Sequence, residues 1–401
     1  MKKTFAMFLT LAMVFALVSC SPASTPPSGS GSPSASPSGS TAPSASGGED
    51  IVIGMLTPLT GDTASGGLRA SQGAQMAVDE INAAGGVLGG RKLVLQIEDD
   101  QGNSDNDVQL VNKLSSEGAA VLAGPYFSSG TIAINDALTQ NKIATINSST
   151  AKTVRDLNSP WIFRARATDD INVQILAKAA LEGGATKVAI LCVNDEVGTA
   201  CADLYEKYFT EANIPFYREG HNTDQTDMTS TLTKAVAEGC DAYVMSTHNN
   251  AVAVIARQMY EMGIDAPVFT NPIIAQSDVL GLMEPEWIEG WKCVSDFSYT
   301  DERTFQKDFT ERFMARYNVE PDVQSALYYG HIMVIADSIE RAGSADRQAI
   351  RDAMAQCDGL QVPVGTVHAT ADEYTNMMFE ISIAEIRDLT PYIVETVSLL
   401  D

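Results

Sequence analysis

The sequence predicts an α/β fold with two doubly wound lobes, because strand and helix patterns alternate in two consecutive sets. In each set, short apolar runs that indicate buried strands alternate with amphipathic helical patterns, and polar loops connect them. The chain has 401 residues, and one hydrophobic core seldom serves so many. We therefore expect two lobes, joined by hinge strands where one set gives way to the other.

The first set opens with a strand, a loop and a helix over residues 51–82. The apolar run IVIGMLT is followed by Pro58 and Gly61, which is typical of the end of a buried strand. Apolar residues then recur at helical spacing, at Met76, Ala77, Ile81 and Ala84. Parallel α/β sheets bind ligands beyond the carboxyl ends of their strands, so the loop 60–71, which includes Ser65, is a candidate binding segment. A turn that serves only the scaffold explains these residues equally well.

Two further strands of the first set also end in polar clusters. Strand 119–124 leads into a helix start that contains Tyr126, Phe127, Ser128, Ser129 and Thr131. Strand 143–146 is followed by Asn147, Ser148, Ser149 and Thr150. Hydroxyls and free backbone N–H groups at a helix N-terminus attract a carboxylate, although ordinary N-capping uses the same residue types. The repeated pattern favours a ligand-binding edge.

The second set repeats this arrangement at its own strand ends. Polar loops follow the predicted strands 187–193, 242–246 and 267–270. These loops contain Asp195, Glu196, His248, Asn249 and Asn271. We expect them to face the first set across a cleft.

Three chain crossings between the lobes are predicted, near Phe163, at 293–297 and at 363–367. They assign residues 51–164 and 297–362 to lobe 1, and residues 165–294 and 366–401 to lobe 2. Several hinge strands between two lobes imply a cleft that closes about a ligand.

The N-terminus carries the pattern of an exported lipoprotein. Lys2 and Lys3 precede a short apolar run, so residues 1–20 are predicted to be a signal peptide. The sequence Leu-Val-Ser before Cys20 resembles the bacterial lipobox, which implies that the Cys20 thiol is diacylated. A type I signal peptide or a membrane anchor with an incidental cysteine is the alternative. Residues 21–48 are rich in Ser, Pro and Gly, which predicts a mobile tether.

Composition argues against several classes of function. The formal net charge of −25 repels nucleic acid and anionic lipid surfaces, so no nucleic-acid partner is expected. The four histidines are scattered and no Cys-x-x-Cys occurs, so we predict no metal site and no cofactor. Export permits disulfides, but five cysteines remain after the signal peptide and their pairing stays open. These five are Cys192, Cys201, Cys240, Cys293 and Cys357.

Taken together, the chain resembles the type I periplasmic binding proteins of the branched-chain amino-acid class, the solute receptors of ABC importers. The resemblance extends over residues 51–389. It rests on the order of several motifs: IGMLTPLTG, GAQMAVDEINAAGGVLGG, AGPYFSSGT, RARATDD and KVAILCVNDEVGTA. It implies a type I periplasmic binding protein fold and a small solute held between the lobes.

The resemblance also implies a ligand site. In the family, a serine hydroxyl and backbone N–H groups hold the substrate carboxylate, and these positions fall on Ser128 or Ser129 and on Ser149, Thr150 or Ala151. Two family tyrosines fall at Gly66 and Val197. The family glutamate that pairs with the substrate ammonium should lie within residues 271–273, where this chain has no acid. Candidates to replace it are Asp170, Asp195 and Glu196.

We therefore expect a monomeric, non-enzymatic receptor that is lipid-anchored outside the cytoplasm. It would bind a small amino acid, branched-chain or related, and deliver it to the permease subunits of an ABC transporter. The cleft would be lined by hydroxyls, amides and aromatic rings. A sensor module that reports its ligand to a membrane partner would use the same cleft. A secreted α/β hydrolase is a further alternative, but no G-x-S-x-G motif occurs, and His248 is expected to donate a hydrogen bond to the ligand.

Overall fold

The computed structural model describes residues 48–61, 63–368, 376–378 and 380–398. The predicted signal peptide, the predicted lipid-attachment residue Cys20 and nearly all of the predicted tether lie outside these residues. Over the ranges just given, no helix combines the length and the apolar character that crossing a membrane requires.

The first sheet is parallel and has five strands: β1 (Ile51–Thr57), β2 (Leu93–Asp99), β3 (Val121–Ala123), β4 (Thr145–Asn147) and β5 (Ile162–Arg164). Their spatial order is β2-β1-β3-β4-β5, and Ile53 pairs with Leu95 on one side and with Val121 on the other. Strands β3, β4 and β5 are fully buried because helices cover both faces of a parallel sheet.

The remaining strands are β6 (Val188–Val193), β7 (Phe216–His221), β8 (Ala242–Ser246), β9 (Val268–Thr270), β10 (Lys292–Ser295), β11 (Leu360–Val362), β12 (Gly365–Val367), β13 (Glu380–Arg387) and β14 (Thr390–Ser398). Seven of them form the second sheet in the order β14-β13-β10-β9-β8-β6-β7, and β11 pairs with β12 as a hairpin. Strands β6 to β10 run parallel, whereas β13 and β14 add an antiparallel edge.

The helices that pack with the first sheet come from two separate parts of the chain. They are α1 (Ala64–Ala83), α2 (Ser104–Ser116), α3 (Ser128–Ala133), α4 (Asn135–Asn141), α5 (Lys152–Asp156), and later α12 (Thr304–Tyr317), α13 (Val323–Ala342) and α14 (Arg347–Met354). The backbones of α1 and α13 approach closely at Gly73, where a Cβ would lie 2.0 Å from the Ser325 carbonyl oxygen. A side chain at this position would force the two helices apart.

The second sheet carries a core on each face. Its helices are α6 (Asp169–Glu182), α7 (Glu196–Glu211), α8 (Thr229–Ala237), α9 (Asn249–Glu261), α10 (Ser277–Leu280) and α11 (Pro285–Ile288). Along β6, Ala189 and Leu191 belong to one buried cluster and Val188 and Ile190 to the other. This alternation is expected of a strand covered on both faces.

The chain passes between the two sheets in three places. It leaves the first sheet after β5, returns from β10 to α12, and leaves again after β12 for β13. Arg166 and Asp296, which lie on the first two of these passages, form an ion pair with a distance of 2.8 Å between Nε and Oδ2. The predicted α/β fold class with parallel sheets is confirmed.

Two helices of the first set differ from the sequence prediction. Helix α1 begins at Ala64, so residues 64–71 form two helical turns and are not part of a loop. The helix predicted after Phe127 is divided into α3 and α4 at Ile134, and α3 has 6 residues. The dipole of such a short helix is small, so the helix N-terminus alone would attract a carboxylate only weakly.

Candidate ligand-binding cleft

A cavity of about 740 Å³ lies where the carboxyl ends of the parallel strands of the two sheets meet. The first sheet and its helices contribute Thr63, Ser65, Gly66, Arg69, Tyr126, Phe127, Ser128, Ser148, Thr150, Asp322 and Gln324 to its wall. The second sheet contributes Thr223, His248, Asn250, Asn271, Pro272, Ile273 and Gln276. Arg166 and Asp169 come from the passage between the sheets. Most of these residues carry hydroxyl, amide or charged groups.

Two aromatic rings from the turn after β3 form part of the first wall. The rings of Tyr126 and Phe127 meet edge-on with their centroids 5.0 Å apart. Gly66 lies directly against Tyr126, since a Cβ there would be 2.6 Å from the Tyr126 hydroxyl. Tyr126 therefore fills space beside the position where the family resemblance implies a tyrosine.

The hydroxyls of the first wall have different surroundings. The Ala151 N–H donates to Ser128 Oγ at 3.4 Å, which links the turn after β3 to the turn after β4. Thr131 and Ser149 share a hydrogen bond of 2.6 Å and are buried behind the wall. Ser128 and Thr150 line the cavity and can face a ligand.

The second wall is organised by Asp195 and His248. Asp195 caps α7 by accepting a hydrogen bond of 2.7 Å from the Gly198 N–H, and its second oxygen lies 2.8 Å from His248 Nε2. This contact fixes the imidazole at the cavity wall. The side-chain amide of Asn271 donates to the Thr247 carbonyl at 3.0 Å, which fixes the orientation of a second polar group.

Asp169 lines the cavity but was not among the predicted ligand-binding residues, whereas the neighbouring Asp170 was a candidate for the missing acid. Asp169 begins α6, and its N–H donates to the Thr150 carbonyl at 3.1 Å. Its Oδ2 atom is buried and has no hydrogen-bond partner among the described atoms. Burial raises the pKa of Asp169, although a hydrogen bond from Thr150 and the charge of Arg166 act in the opposite direction. The acid of RARATDD that faces the cleft is thus the first of its two aspartates.

Arg69 and Gln324 also line the cavity and were not predicted as ligand contacts. Arg69 follows Ser65 by four residues, so the two share a face of α1, and this spacing was the available signal. Gln324 lies at the start of α13, where Asp322 and Ser325 form a capping box. Its Oε1 atom is buried without a partner among the described atoms. Nothing local in the sequence shows that α13 reaches the cleft.

The predicted ligand-binding residues divide into two groups. Those that line the cavity are Ser65, Tyr126, Phe127, Ser128, Thr150, His248 and Asn271. Ser129 and Glu196 are exposed outside the cavity wall, Ser149 lies behind the wall, and Asp195 contacts it through His248. Asn249 begins α9, and its side chain is not described. No group of three or more metal-binding side chains occurs in the part of the chain that the structure describes.

A family model described as "Periplasmic binding protein" matches residues 50–388. The chain belongs to the periplasmic binding protein family. Members of this family are solute-binding proteins and not enzymes, and the family implies an extracytoplasmic location. The resemblance to the branched-chain amino-acid class is also confirmed by the relatives and structural neighbours of this binding protein.

Three of these similar proteins show how far the similarity extends and which molecules the solved structures contain. The Leu/Ile/Val-binding protein BraC3 of Rhizobium johnstonii is 26% identical over 332 residues, which cover 81% of this chain and 88% of the relative. The branched-chain amino acid transporter substrate binding protein LivJ of Streptococcus pneumoniae, in complex with isoleucine, has a TM-score of 0.77 at 23% identity and covers 87% and 99% of the two chains. A solute binding protein of an ABC transporter from Rhodopseudomonas palustris, in complex with 3,4-dihydroxybenzoic acid, has a TM-score of 0.75 at 19% identity and covers 87% and 97%.

Beneath the cleft of this binding protein lies a pair of buried carboxyls, Asp100 and Asp107. Asp100 is 1% exposed and Asp107 is 3% exposed. A Cβ at Gly130 in α3 would lie 2.1 Å from Asp107 Oδ2, so this carboxyl packs directly against the turn that carries Ser128. Burial and the charge of Asp100 raise the pKa of Asp107 to about 8, and burial also raises the pKa of Asp100.

The raised pKa of Asp107 predicts that stability falls with rising pH. The folded protein retains a proton up to about pH 8, whereas an unfolded aspartate loses it near pH 3.9. Across this window the folded state binds more protons, so the free energy of unfolding decreases as pH rises, by at most about 1.4 kcal/mol per pH unit. Asp107→Asn removes this dependence and is expected to exceed the wild type in stability near pH 8, with the difference shrinking toward pH 4.

Urea unfolding at pH 4, 6 and 8 measures this effect. The control is Asp105→Asn, because Asp105 is exposed in the first turn of the same helix. That change is expected to alter stability by less than about 1 kcal/mol at every pH. A wild-type pH slope that is unchanged by Asp107→Asn would contradict the assignment.

Proposed function

We propose that this binding protein is a lipid-anchored receptor of an ABC importer, which binds a small amino acid or a related small polar solute in the cleft. The observation that carries the proposal is the cavity itself, whose walls present hydroxyls and amides from the strand ends of both sheets. Polar groups that converge on a concave site orient a small ligand through hydrogen bonds.

Cleft closure is part of the proposal. Residues 51–164 and 297–362 would move as lobe 1, and residues 165–294 and 366–401 as lobe 2. The three passages of the chain between the sheets would serve as hinges. The ion pair between Arg166 and Asp296 supports this arrangement because it holds two of the passages side by side.

A carboxylate is the ligand group that we assign to Ser128 and Thr150. Isoleucine in the LivJ complex and 3,4-dihydroxybenzoic acid in the Rhodopseudomonas complex differ in nearly everything except that each carries a carboxylate. The turns after β3 and β4 bring these two residues to the same wall, where the Ser128 hydroxyl and the Thr150 backbone N–H can donate hydrogen bonds to carboxylate oxygens. The rings of Tyr126 and Phe127 would lie beside the ligand, and Ser65, His248 and Asn271 would contact its other end.

The partners follow from the family. A receptor of this kind delivers its solute to permease subunits, and we propose that it does so as a monomer. Diacylation of Cys20 would hold it at the membrane, and the Ser/Pro/Gly-rich segment 21–48 would give the folded body its reach.

The carboxylate assignment predicts a difference between two adjacent serines. Ser128→Ala removes a hydroxyl from the cleft wall and is expected to weaken binding of the preferred amino acid about tenfold. Ser129→Ala is the matched control, because Ser129 is exposed outside the wall, and its affinity is expected to stay within about twofold of wild type. Isothermal titration after a thermal-shift screen of the twenty common amino acids provides the measurement. Equal losses in both variants would argue against this assignment.

The lipid anchor makes a separate prediction. Cells that express the full chain and are fed a clickable palmitate analogue should label the wild-type protein, and the protein should remain with the membrane fraction. Cys20→Ser should lose both the label and the membrane association, because the acylated thiol is absent. Cys240→Ser is the control for a cysteine in the folded body. Labelling that persists in Cys20→Ser would place the anchor elsewhere.

A further inference from the structure

The cleft contains three cationic or potentially cationic side chains, and two of them already have a carboxylate partner. Arg166 pairs with Asp296 and His248 with Asp195, each at 2.8 Å. Arg69 is half-buried in the same wall and has no ion-pair partner among the described residues. A guanidinium held at a cleft wall without a counter-ion is a site for an anionic group of the ligand.

The same cavity wall also contains hydrogen-bond acceptors that have no donor among the described atoms. The carboxylate of Asp169 is part of the cavity wall, and its buried Oδ2 atom has no hydrogen-bond donor among the described atoms. The buried Oε1 of Gln324 is a second acceptor without a donor. An ammonium group carries three N–H donors and can satisfy such acceptors. Asp322 is another acid of the wall, and its carboxylate accepts a hydrogen bond of 2.9 Å from the Ser325 N–H.

The remainder of the wall is poorly suited to a large aliphatic side chain. Its apolar groups are few, namely Tyr126, Phe127, Pro272 and Ile273, whereas the amides of Asn250, Gln276 and Gln324 line the same cavity. A branched aliphatic chain placed there would leave polar groups without partners, and such mismatches lower affinity strongly. Arg69 also borders a smaller adjoining cavity of about 190 Å³, which extends the space available beside it.

We propose that the ligand is an α-amino acid with an acidic side chain, whose ammonium binds Asp169 and whose side-chain carboxylate binds Arg69. The α-carboxylate then lies at Ser128 and Thr150, which adjoin Asp169 through the hydrogen bond between the Asp169 N–H and the Thr150 carbonyl. This assignment rests on the proposed function and narrows it to one substrate class. It also supplies the acid that is missing from residues 271–273.

The ligand panel tests the proposal on the wild-type chain. The protein is unfolded and dialysed in denaturant to remove any retained solute, and is then refolded. It is titrated with L-glutamate, L-aspartate, L-glutamine, L-leucine, L-isoleucine and glutarate. We expect L-glutamate or L-aspartate to bind at least about tenfold more tightly than the others. Tighter binding of L-leucine or L-isoleucine would overturn this inference and leave the proposed function standing. Absence of binding by every amino acid of the panel would overturn this inference, and absence of binding by all twenty common amino acids would also overturn the amino-acid part of the proposed function.

Substitutions at Arg69 and Asp169 then test which ligand group each of these two charged residues binds. Arg69→Gln should weaken L-glutamate about ten- to hundredfold and change L-glutamine less than about threefold, because only the former presents a side-chain charge. The control Arg257→Gln alters an arginine of α9 that does not line the cavity and pairs with Glu261, and it should bind as wild type does. Equal weakening of both ligands by Arg69→Gln would overturn the role given to Arg69.

Asp169→Asn should weaken L-glutamate and L-glutamine by similar factors of about tenfold or more, and leave glutarate, which has no ammonium, within about threefold. Asp170→Asn is the matched control, since Asp170 is the adjacent acid and does not line the cavity. Thermal unfolding of each unliganded variant separates misfolding from lost contacts. A folded Asp169→Asn protein that keeps its affinity for L-glutamate would overturn the assignment, as would a larger loss in Asp170→Asn.

Discussion

The carboxyl ends of parallel strands from both sheets point at one cavity, and the position of nearly every candidate ligand contact follows from this constraint. Backbone groups beyond a strand end have no ladder partner, so the turns there are polar and place hydroxyls and amides at the same edge. Because β1, β3 and β4 are neighbours, Ser65, Ser128 and Thr150 reach one wall although they are far apart in sequence. The same logic brings His248 and Asn271 to the other wall.

Some charged side chains around this cavity have partners within the protein, and others have none among the described residues. Arg166 and His248 have carboxylate partners within the protein, whereas Arg69 has none among the described residues, and Asp169 keeps one buried oxygen without a donor. Leaving a buried acceptor unsatisfied costs about 1–3 kcal/mol. Under the proposed assignment, a charged, polar ligand that supplies the missing donor and the missing anion would recover this energy on binding.

Much of the fold could be predicted from the sequence, because strand periodicity and polar strand ends are local features. The residues that could be predicted poorly depend on helix phase or on long-range packing. Asp169 and Asp170 are adjacent, and only the start of α6 determines which one faces the cavity, since successive helical residues point about 100° apart. Ser128 and Ser129 differ for the same reason. Gln324 comes from α13, whose approach to the cleft is fixed by its packing against α1 and by no local pattern.

We propose that the cleft holds one small amino acid and returns it unchanged. Native mass spectrometry of the folded protein after incubation with an equimolar mixture of the twenty common amino acids tests this most directly. The account predicts one bound amino acid per chain, and after denaturation the released molecule should have the mass of the amino acid supplied. A protein that retains no amino acid, or that releases a product of altered mass, would contradict it.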